Sequence, residues 1–191
     1  MDYDYFSIDA ILAENQKIQC TFKLDVPGMG HLGGGSDKDI KALTKVPLPM
    51  WLAYIFLYSD WADVATPVAF GTRVRNALKA EPRSVKLSSL VGAGGLWYGF
   101  GKIIADILTE EQGLELETVL TQTFRGRLTE VIDQAQHFAA LGPAGGGGAS
   151  SDVTQSFREG LDGTERELFL LAQESVRQTK RWYEGSDKVR R

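Results

Sequence analysis

A run of glycines with the spelling G-x-G-x-x-G, at Gly28–Gly33, follows a stretch of alternating apolar residues. Glycines at this spacing hold the phosphates of a dinucleotide when they lead from a strand directly into a helix of a parallel α/β fold. Here Pro27 separates the strand pattern from the glycines, and GGSDKD follows them instead of an apolar helical pattern. We interpret the segment as a connecting loop, and a small enzyme that uses it is the least favoured hypothesis.

Residues suited to acid–base or metal chemistry are few. The chain has two histidines, His31 and His137, and neither has acidic or cysteine neighbours at a spacing typical of metal ligands. The one cysteine, Cys20, excludes an intramolecular disulfide and a cysteine-based zinc cluster. A catalytic pair of carboxylates forms through space, so the sequence leaves it open. We predict no catalytic residue, no cofactor and no metal.

Basic residues between positions 73 and 86 are the candidate contacts to nucleic acid or to an acidic partner. Arg75 and Lys79 share a predicted helix face, whereas Arg73 points elsewhere, and no aromatic residues are interleaved for base stacking. A net charge of −4 also disfavours broad electrostatic binding to nucleic acid. A nucleic-acid-binding helical adaptor that uses Arg73–Lys86 is therefore the alternative function, and Arg73, Arg75 and Lys79 are its candidate residues.

Large apolar side chains are a more prominent feature than any catalytic pattern. Segments 50–58 and 90–108 are apolar on nearly every side if they are helices. Two such helices are difficult to bury within one small α domain, and permanent subunit interfaces resemble a core cut in half. The sequence therefore indicates an obligate complex, and the aromatic residues on which this depends are Trp51, Tyr54, Phe56, Trp61, Trp97, Tyr98 and Phe100.

The segment Leu90–Leu108 is predicted to be the central helix of the fold. It contains Gly95 and Gly99, and a glycine in a helix interior costs roughly 1 kcal/mol relative to alanine. A close approach of another backbone would offset that cost. We therefore expect tight packing at Gly99.

The remaining patterns predict a mainly α protein. Ser7 is the predicted N-cap of a helix over 7–15, and a strand with one buried face follows over 18–26. The predicted helices that come after these are 50–58, 67–80, 90–108, 114–139 and 152–184, the last with a bend at Gly163. We predict a small β-containing module at 1–46 and a helical domain of about five helices at 47–191, with a flexible glycine-rich loop at 142–151.

Length and composition agree with an ordinary globular protein. The 191 residues are 43% hydrophobic, which is enough for a core. The start, MDYDYFSIDA, is acidic and lacks the order of a secretion signal. The longest apolar run, Met50–Tyr58, is too short to span a bilayer. These features predict a soluble intracellular protein.

Four stretches in order resemble the PSF3-type subunits of the eukaryotic GINS complex: YFSIDAILAENQKIQCTFKLDVPGMG, TKVPLPMWLA, LWYGFG and QTFRGRLTEVIDQAQ. Members of that family carry a SIDAIL-type opening, an LPLWLA-type junction, a YGFG helix and a QTF-x-GR helix. The matches cover most of residues 5–140, with weaker similarity through the final helix. The loop at 142–151 departs from the family pattern.

The resemblance implies a non-catalytic subunit of a nuclear heterotetramer, with a small β-rich B domain placed before a helical A domain. It implies association with the MCM ring and Cdc45 in the CMG helicase, during initiation and fork progression, and a link to DNA polymerase epsilon. Any DNA contact would be at most indirect. The MCM ring hydrolyses ATP in that assembly, and this chain has no G-x-x-x-x-G-K-[ST] loop.

The motifs also transfer roles to particular positions. The resemblance implies that Pro47–Ala53 is the domain junction and that Trp97–Gly101 belongs to the core of the helical domain. It implies that Phe124–Arg127 lies on a core or subunit-facing helix. The full set of candidate structural or interface residues is therefore Trp51, Tyr54, Trp97, Tyr98, Gly99, Phe100, Phe124 and Arg127.

Overall fold

A computed structural model describes residues 6–92, 94–141 and 150–189, and it describes side chains within 6–92, 94–137 and 155–184. A small antiparallel sheet near the N-terminus is followed by helices, so the predicted fold class is confirmed. The helices are α1 (Ile8–Glu14), α2 (Met50–Tyr58), α3 (Thr72–Ala80), α4 (Trp97–Ile107), α5 (Glu110–Leu141), α6 (Ser150–Glu159) and α7 (Gly163–Val189).

The sheet has three strands, with β1 (Lys17–Phe22) between β2 (Lys45–Pro49) and β3 (Ala62–Val64), both antiparallel to it. The alternation predicted from the sequence is confirmed over β1, because every second side chain is buried. The strand ends four residues earlier than predicted. Val26 lies beyond the end of the strand, but it is buried and forms an isolated β-bridge with Ile40.

Strand β2 contains two prolines, Pro47 and Pro49. Pro47 lies opposite Gln19 of β1, and the strand continues to Pro49. Proline lacks a backbone N–H, so it is tolerated on an edge strand, where that position needs no ladder partner. Residue 46 lies within β2, and β3 of the same sheet comes after it in the chain. The domain boundary at residue 46 stays a prediction.

Helix α4 begins at Trp97, so the predicted helix over 90–108 was wrong at its N-terminal end. Gly94 and Gly95 have φ values of +95° and +62°, in the left-handed region that glycine adopts without a steric penalty. The chain therefore turns before the helix starts. Gly99 does lie in the helix, and a Cβ there would be 3.4 Å from the Cβ of Ala13 in α1.

The predicted last helix is divided into α6 and α7, which makes six helices after residue 46 in the described part, one more than expected. Residues 160–162 separate the two helices, whereas the sequence predicted one helix with a bend at Gly163. At Gly160 an added Cβ would lie 3.0 Å from the Cα of Lys86. Of the predicted flexible loop, residues 142–149 lie outside the described residues and residues 150 and 151 begin α6.

Two apolar clusters hold the fold together. The larger one joins the sheet to α2, α3, α4 and the first half of α5, and its members include Phe22, Phe70 and Trp97. The smaller one lies between α5 and the last two helices and consists of Val131, Ala135, Phe157, Leu161 and Phe169. Helix α4 contributes several fully buried side chains to the larger cluster, which confirms its predicted central position.

Candidate subunit interface

Helix α2 turns one apolar face to the interior and a second one to solvent. Met50, Ala53 and Phe56 are buried. On the other side, Trp51, Tyr54, Ile55 and Tyr58 follow each other at helical spacing and are 52%, 53%, 53% and 87% exposed. We call these four residues the α2 stripe. Although its sequence is apolar on nearly every side, this helix is therefore buried on one side alone within the chain.

The α2 stripe is held firmly in place. The backbone of Pro49 passes directly from β2 into the helix, and the Met50 amide donates to the Gln16 carbonyl at 2.9 Å. At the other end, the Trp61 amide donates to the Phe56 carbonyl at 2.9 Å just before β3 begins. Both ends of α2 are therefore tied to strands that pair with β1. The helix presents its aromatic side chains on a fixed frame.

A second group of exposed apolar residues lies on α1. Ile8, Ile11 and Leu12 are spaced three and four residues apart on that helix, and they are exposed by 72%, 54% and 37%. Leu12 lines a depression together with Leu170 of α7. Soluble monomers rarely expose large continuous apolar patches, and such patches mark interaction sites. The chain therefore carries surfaces on two helices that a partner can cover.

Most of the other candidate residues lie in the core. The Trp97 indole N–H donates to the Ala69 carbonyl at 3.1 Å, and its ring stacks on Phe70 with centroids 5.4 Å apart. Tyr98 meets Phe124 edge to face at 5.6 Å. Phe100 is also buried. Of the aromatic residues singled out from the sequence, Trp51, Tyr54 and Trp61 are exposed, and a place for Trp51 and Tyr54 in an interface stays a prediction.

Arg127 forms a buried ion pair that connects two of the long helices. Its guanidinium bonds both carboxylate oxygens of Glu165, at 2.7 and 3.0 Å, and both side chains are essentially inaccessible to solvent. Its remaining donor nitrogen bonds the carbonyls of Pro82 and Val85 at 2.7 and 2.9 Å. The Tyr98 hydroxyl donates to the same carboxylate at 2.9 Å. The desolvated charges are therefore well compensated by hydrogen bonds.

Asp162 and Glu165 complete this network, and neither residue was predicted from the sequence. Asp162 accepts from the Thr164 amide at the start of α7, while Glu165 accepts from the Asp162 amide at 3.1 Å, which is a capping box. The other oxygen of Asp162 accepts from the amides of Trp97 and Tyr98. One carboxylate thus caps both α7 and α4. The spelling Asp-x-x-Glu ahead of an apolar pattern was the signal that could have located the start of α7.

Burial shifts the titration of two groups in this network. Desolvation raises the pKa of Asp162, and its hydrogen bonds from backbone amides oppose that rise. Desolvation also raises the pKa of Tyr98 well above its ordinary value, with the neighbouring Glu165 carboxylate adding to the effect. The tyrosine therefore stays protonated and donates its hydrogen bond at every physiological pH. The network has the properties of a structural element.

Three of the five basic residues between 73 and 86 are paired with acidic side chains. Arg75 lies 2.9 Å from Glu115 and also donates to the Phe70 carbonyl, so it is partly buried and engaged. Arg83 and Lys86 form ion pairs with glutamates of α5 and α6. Arg73 and Lys79 are exposed and form no ion pair within the described residues. Within this run, Arg73 and Lys79 are therefore the residues left to contact nucleic acid or an acidic partner.

The glycine motif does not form a dinucleotide site. Gly30–Gly33 is a single 3₁₀ turn, and the strand before it belongs to an antiparallel sheet instead of a βαβ unit. The described residues contain no group of three histidine, cysteine or carboxylate side chains that could hold a metal ion. Within that same part of the chain, no helix is long and apolar enough to cross a membrane.

Comparison with known families matches two consecutive parts of this chain. Residues 6–58 match the model of the PSF3 N-terminal domain. Residues 69–184 match the model described as the GINS complex protein helical bundle domain. Together these matches take in strands β1 and β2, the α2 stripe and the buried network, while β3 lies between the two matched ranges.

Curated proteins that are named as PSF3 proteins of the GINS complex are similar to this chain over nearly its whole length. The DNA replication complex GINS protein psf3 of Aspergillus fumigatus is 39% identical, over 93% of this chain and 95% of its own length. The protein of that name from Schizosaccharomyces pombe is 31% identical, over 94% and 96%. The one from Saccharomyces cerevisiae is 27% identical, over 93% and 97%.

Proposed function

The chain belongs to the PSF3 family of GINS subunits, which act in DNA replication, and from this membership we propose that it is a non-catalytic scaffold subunit of the GINS heterotetramer. The α2 stripe is the observation that carries the proposal. Four large apolar side chains on a rigid helix lose contact with water only when a partner covers them. Burial of such a surface contributes roughly 25 cal/mol per Å² of apolar area.

The proposal includes the larger assembly and the cell compartment. The completed tetramer associates with the MCM ring and Cdc45 to form the CMG helicase, and it links DNA polymerase epsilon to the fork. In that assembly the chain supplies rigid surface and carries out no chemical step. It works in the nucleus. Family membership favours this role. The solvent-facing aromatic residues of α2, a helix tied to the sheet at both ends, favour it as well.

Co-expression with the other three GINS subunits tests the scaffold role. We expect one particle with a 1:1:1:1 composition, measured by light scattering after size exclusion. The variant Tyr54→Lys with Ile55→Lys places two charges on the α2 stripe and should prevent incorporation of this chain. Asn76→Lys with Gln122→Lys adds the same charge at exposed polar positions and should incorporate normally. Incorporation of both variants alike would contradict the proposed interface.

The alternative function as a nucleic-acid-binding adaptor rests on the exposed Arg73 and Lys79. It predicts an affinity of the chain for DNA that falls steeply with added salt. Because Arg75, Arg83 and Lys86 are paired with glutamates, we expect no change in the fluorescence anisotropy of labelled single-stranded or forked DNA at low salt. Salt-sensitive binding that Arg73→Ala with Lys79→Ala abolishes would favour the alternative.

A further inference from the structure

A groove between α1, α2 and α4 lies beside the α2 stripe. Its walls are Met50, Trp51 and Tyr54 from α2, with Ile103 and Ile107 from α4. Its cavity volume of about 370 Å³ lies at the lower end of the range for clefts that enclose small ligands or single large side chains. Two of its walls are residues of the stripe. A partner that covers the stripe therefore also reaches the groove.

Two carboxylates complete the lining of this groove. Glu14 stands at the end of α1, and Asp106 lies on the same face of α4 as the two isoleucines. Neither forms an ion pair within the described part of the chain, and no basic residue lines the groove there. The site therefore combines an apolar, aromatic floor with an uncompensated negative rim.

This composition selects the chemistry of the occupant. An apolar side chain fits the space between the aromatic and aliphatic walls, and a lysine or arginine next to it meets the two carboxylates. Aromatic and arginine residues are enriched at protein interfaces because they combine contact area with directed polar groups. A purely apolar segment would leave Glu14 and Asp106 beside a desolvated surface without a counter-charge, which is unfavourable.

We infer that the groove binds a segment of another subunit of the complex in which a large apolar side chain stands next to a lysine or arginine. The inference rests on the proposed function, since it identifies the kind of sequence that covers the α2 stripe. The apolar residue enters between Tyr54 and Ile107, and the basic residue pairs with Glu14 or Asp106. The carboxylates thereby determine which partner segment fits, because electrostatic complementarity contributes chiefly to specificity.

Charge reversal in the assembled complex tests the inference. The groove variant carries Glu14→Lys and Asp106→Lys, and a matched control carries Glu117→Lys and Asp133→Lys at exposed positions of α5. Mass photometry on diluted tetramer gives the concentration at which this chain is released. We expect release at a concentration at least tenfold higher for the groove variant and no shift for the control. The neutral variant Glu14→Gln with Asp106→Asn should lie between them and lose part of the salt dependence.

Zero-length carbodiimide cross-linking of the wild-type tetramer is an independent measurement that needs no variant. Where the basic residue is a lysine, we expect Glu14 or Asp106 to be coupled to it, and that lysine to have a large apolar neighbour; an arginine forms no such cross-link and is tested by the charge-reversal variants. The inference would be overturned if the wild-type tetramer forms, the groove variant is released at the same concentration as the wild type, and no such cross-link is found. That result would leave the scaffold role intact. Failure of the wild-type chain to enter any tetramer would overturn the scaffold role, and the inference with it.

Discussion

At the scale of single residues, the most consequential feature is a pair of opposite charges without access to water. Arg127 and Glu165 are 0% and 1% exposed, and Tyr98 and two backbone carbonyls supply further hydrogen bonds. Removing charges from water is costly, so the arginine and the glutamate depend on each other. The ring of Phe157 lies 4.8 Å from the guanidinium carbon and extends the contact to α6.

Replacing Arg127 with methionine should destabilise the protein by about 3–5 kcal/mol, because it leaves the Glu165 carboxylate buried without a counter-charge. Urea denaturation followed by circular dichroism measures the change in the free energy of unfolding. Arg125→Met, on the exposed side of the same helix, is the control and should change it by less than about 0.5 kcal/mol. Equal losses for the two variants would contradict the interpretation of the pair.

The two partners of this pair differed in how far sequence alone could identify them. Arg127 belongs to a recognisable motif, which indicated its importance without its partner. Glu165 and Asp162 lie more than 30 residues away along the chain, and pairing across that distance depends on how α5 and α7 pack. The capping box can be recognised from the local spacing of Asp162 and Glu165. The pairing of Glu165 with Arg127 cannot be recognised from local spacing.

At the scale of elements, small residues allow the helices to cross closely. An added Cβ on Gly113 of α5 would lie 2.7 Å from the carbonyl oxygen of Ala105 in α4. On Gly99, by contrast, it would reach the Cβ of Ala13 at 3.4 Å, close to an ordinary contact distance. The first position meets rigid backbone, whereas the second meets only a methyl group. The helices therefore approach each other more closely at Gly113 than at Gly99, where we expected the tight packing.

Gly113→Ala should lower the free energy of unfolding by about 1–2 kcal/mol. The overlap with the Ala105 carbonyl outweighs the gain of roughly 1 kcal/mol that alanine brings to a helix. Gly99→Ala is the matched variant and should be neutral or stabilising by up to about 1 kcal/mol, because its new methyl group fits beside Ala13. Thermal unfolding of the two variants in parallel measures the contrast, and the opposite order would show that the helices cross differently.

Sequence patterns identified most elements but misplaced several of their ends. The apolar segment 50–58 matched α2 at both ends, whereas the helix predicted over 67–80 starts only at Thr72 and the one predicted over 114–139 already starts at Glu110. Apolar periodicity identified α3 and α5 because it reflects which side of a helix faces the core. It missed the start of α4, because glycines before Trp97 continue an apolar pattern while their backbone turns the other way. It also missed the extension of β2 through Pro47, which only an edge position permits.

At the scale of the whole molecule, the apolar surface exceeds what one chain can cover. The sequence indicated this excess correctly, because two helices without a polar side cannot both be central. It predicted the central position of α4 but could not show that α2 faces solvent on one side. That choice depends on where the three-stranded sheet holds each end of α2, which is a property of the folded chain.

The isolated chain should therefore self-associate through the α2 stripe. Tyr54→Lys with Ile55→Lys should shift it toward the monomer without lowering its melting temperature, because both side chains are about half exposed. Sedimentation velocity over a range of concentrations measures the shift. The charge-matched Asn76→Lys with Gln122→Lys should leave self-association unchanged. If both variants dissociate equally, net charge and not the stripe controls the association.

The shared cap at Asp162 also has a consequence for synthesis on the ribosome. Strand β3 ends at Val64, so the sheet is complete early, whereas the carboxylate that caps α4 follows Trp97 by 65 residues. At a translation rate of about 5–20 residues per second, this delay is roughly 3–13 s. During that interval the nascent chain has the central helix without the carboxylate that caps it. The period of greatest need for a chaperone therefore falls between the emergence of Trp97 and that of Asp162.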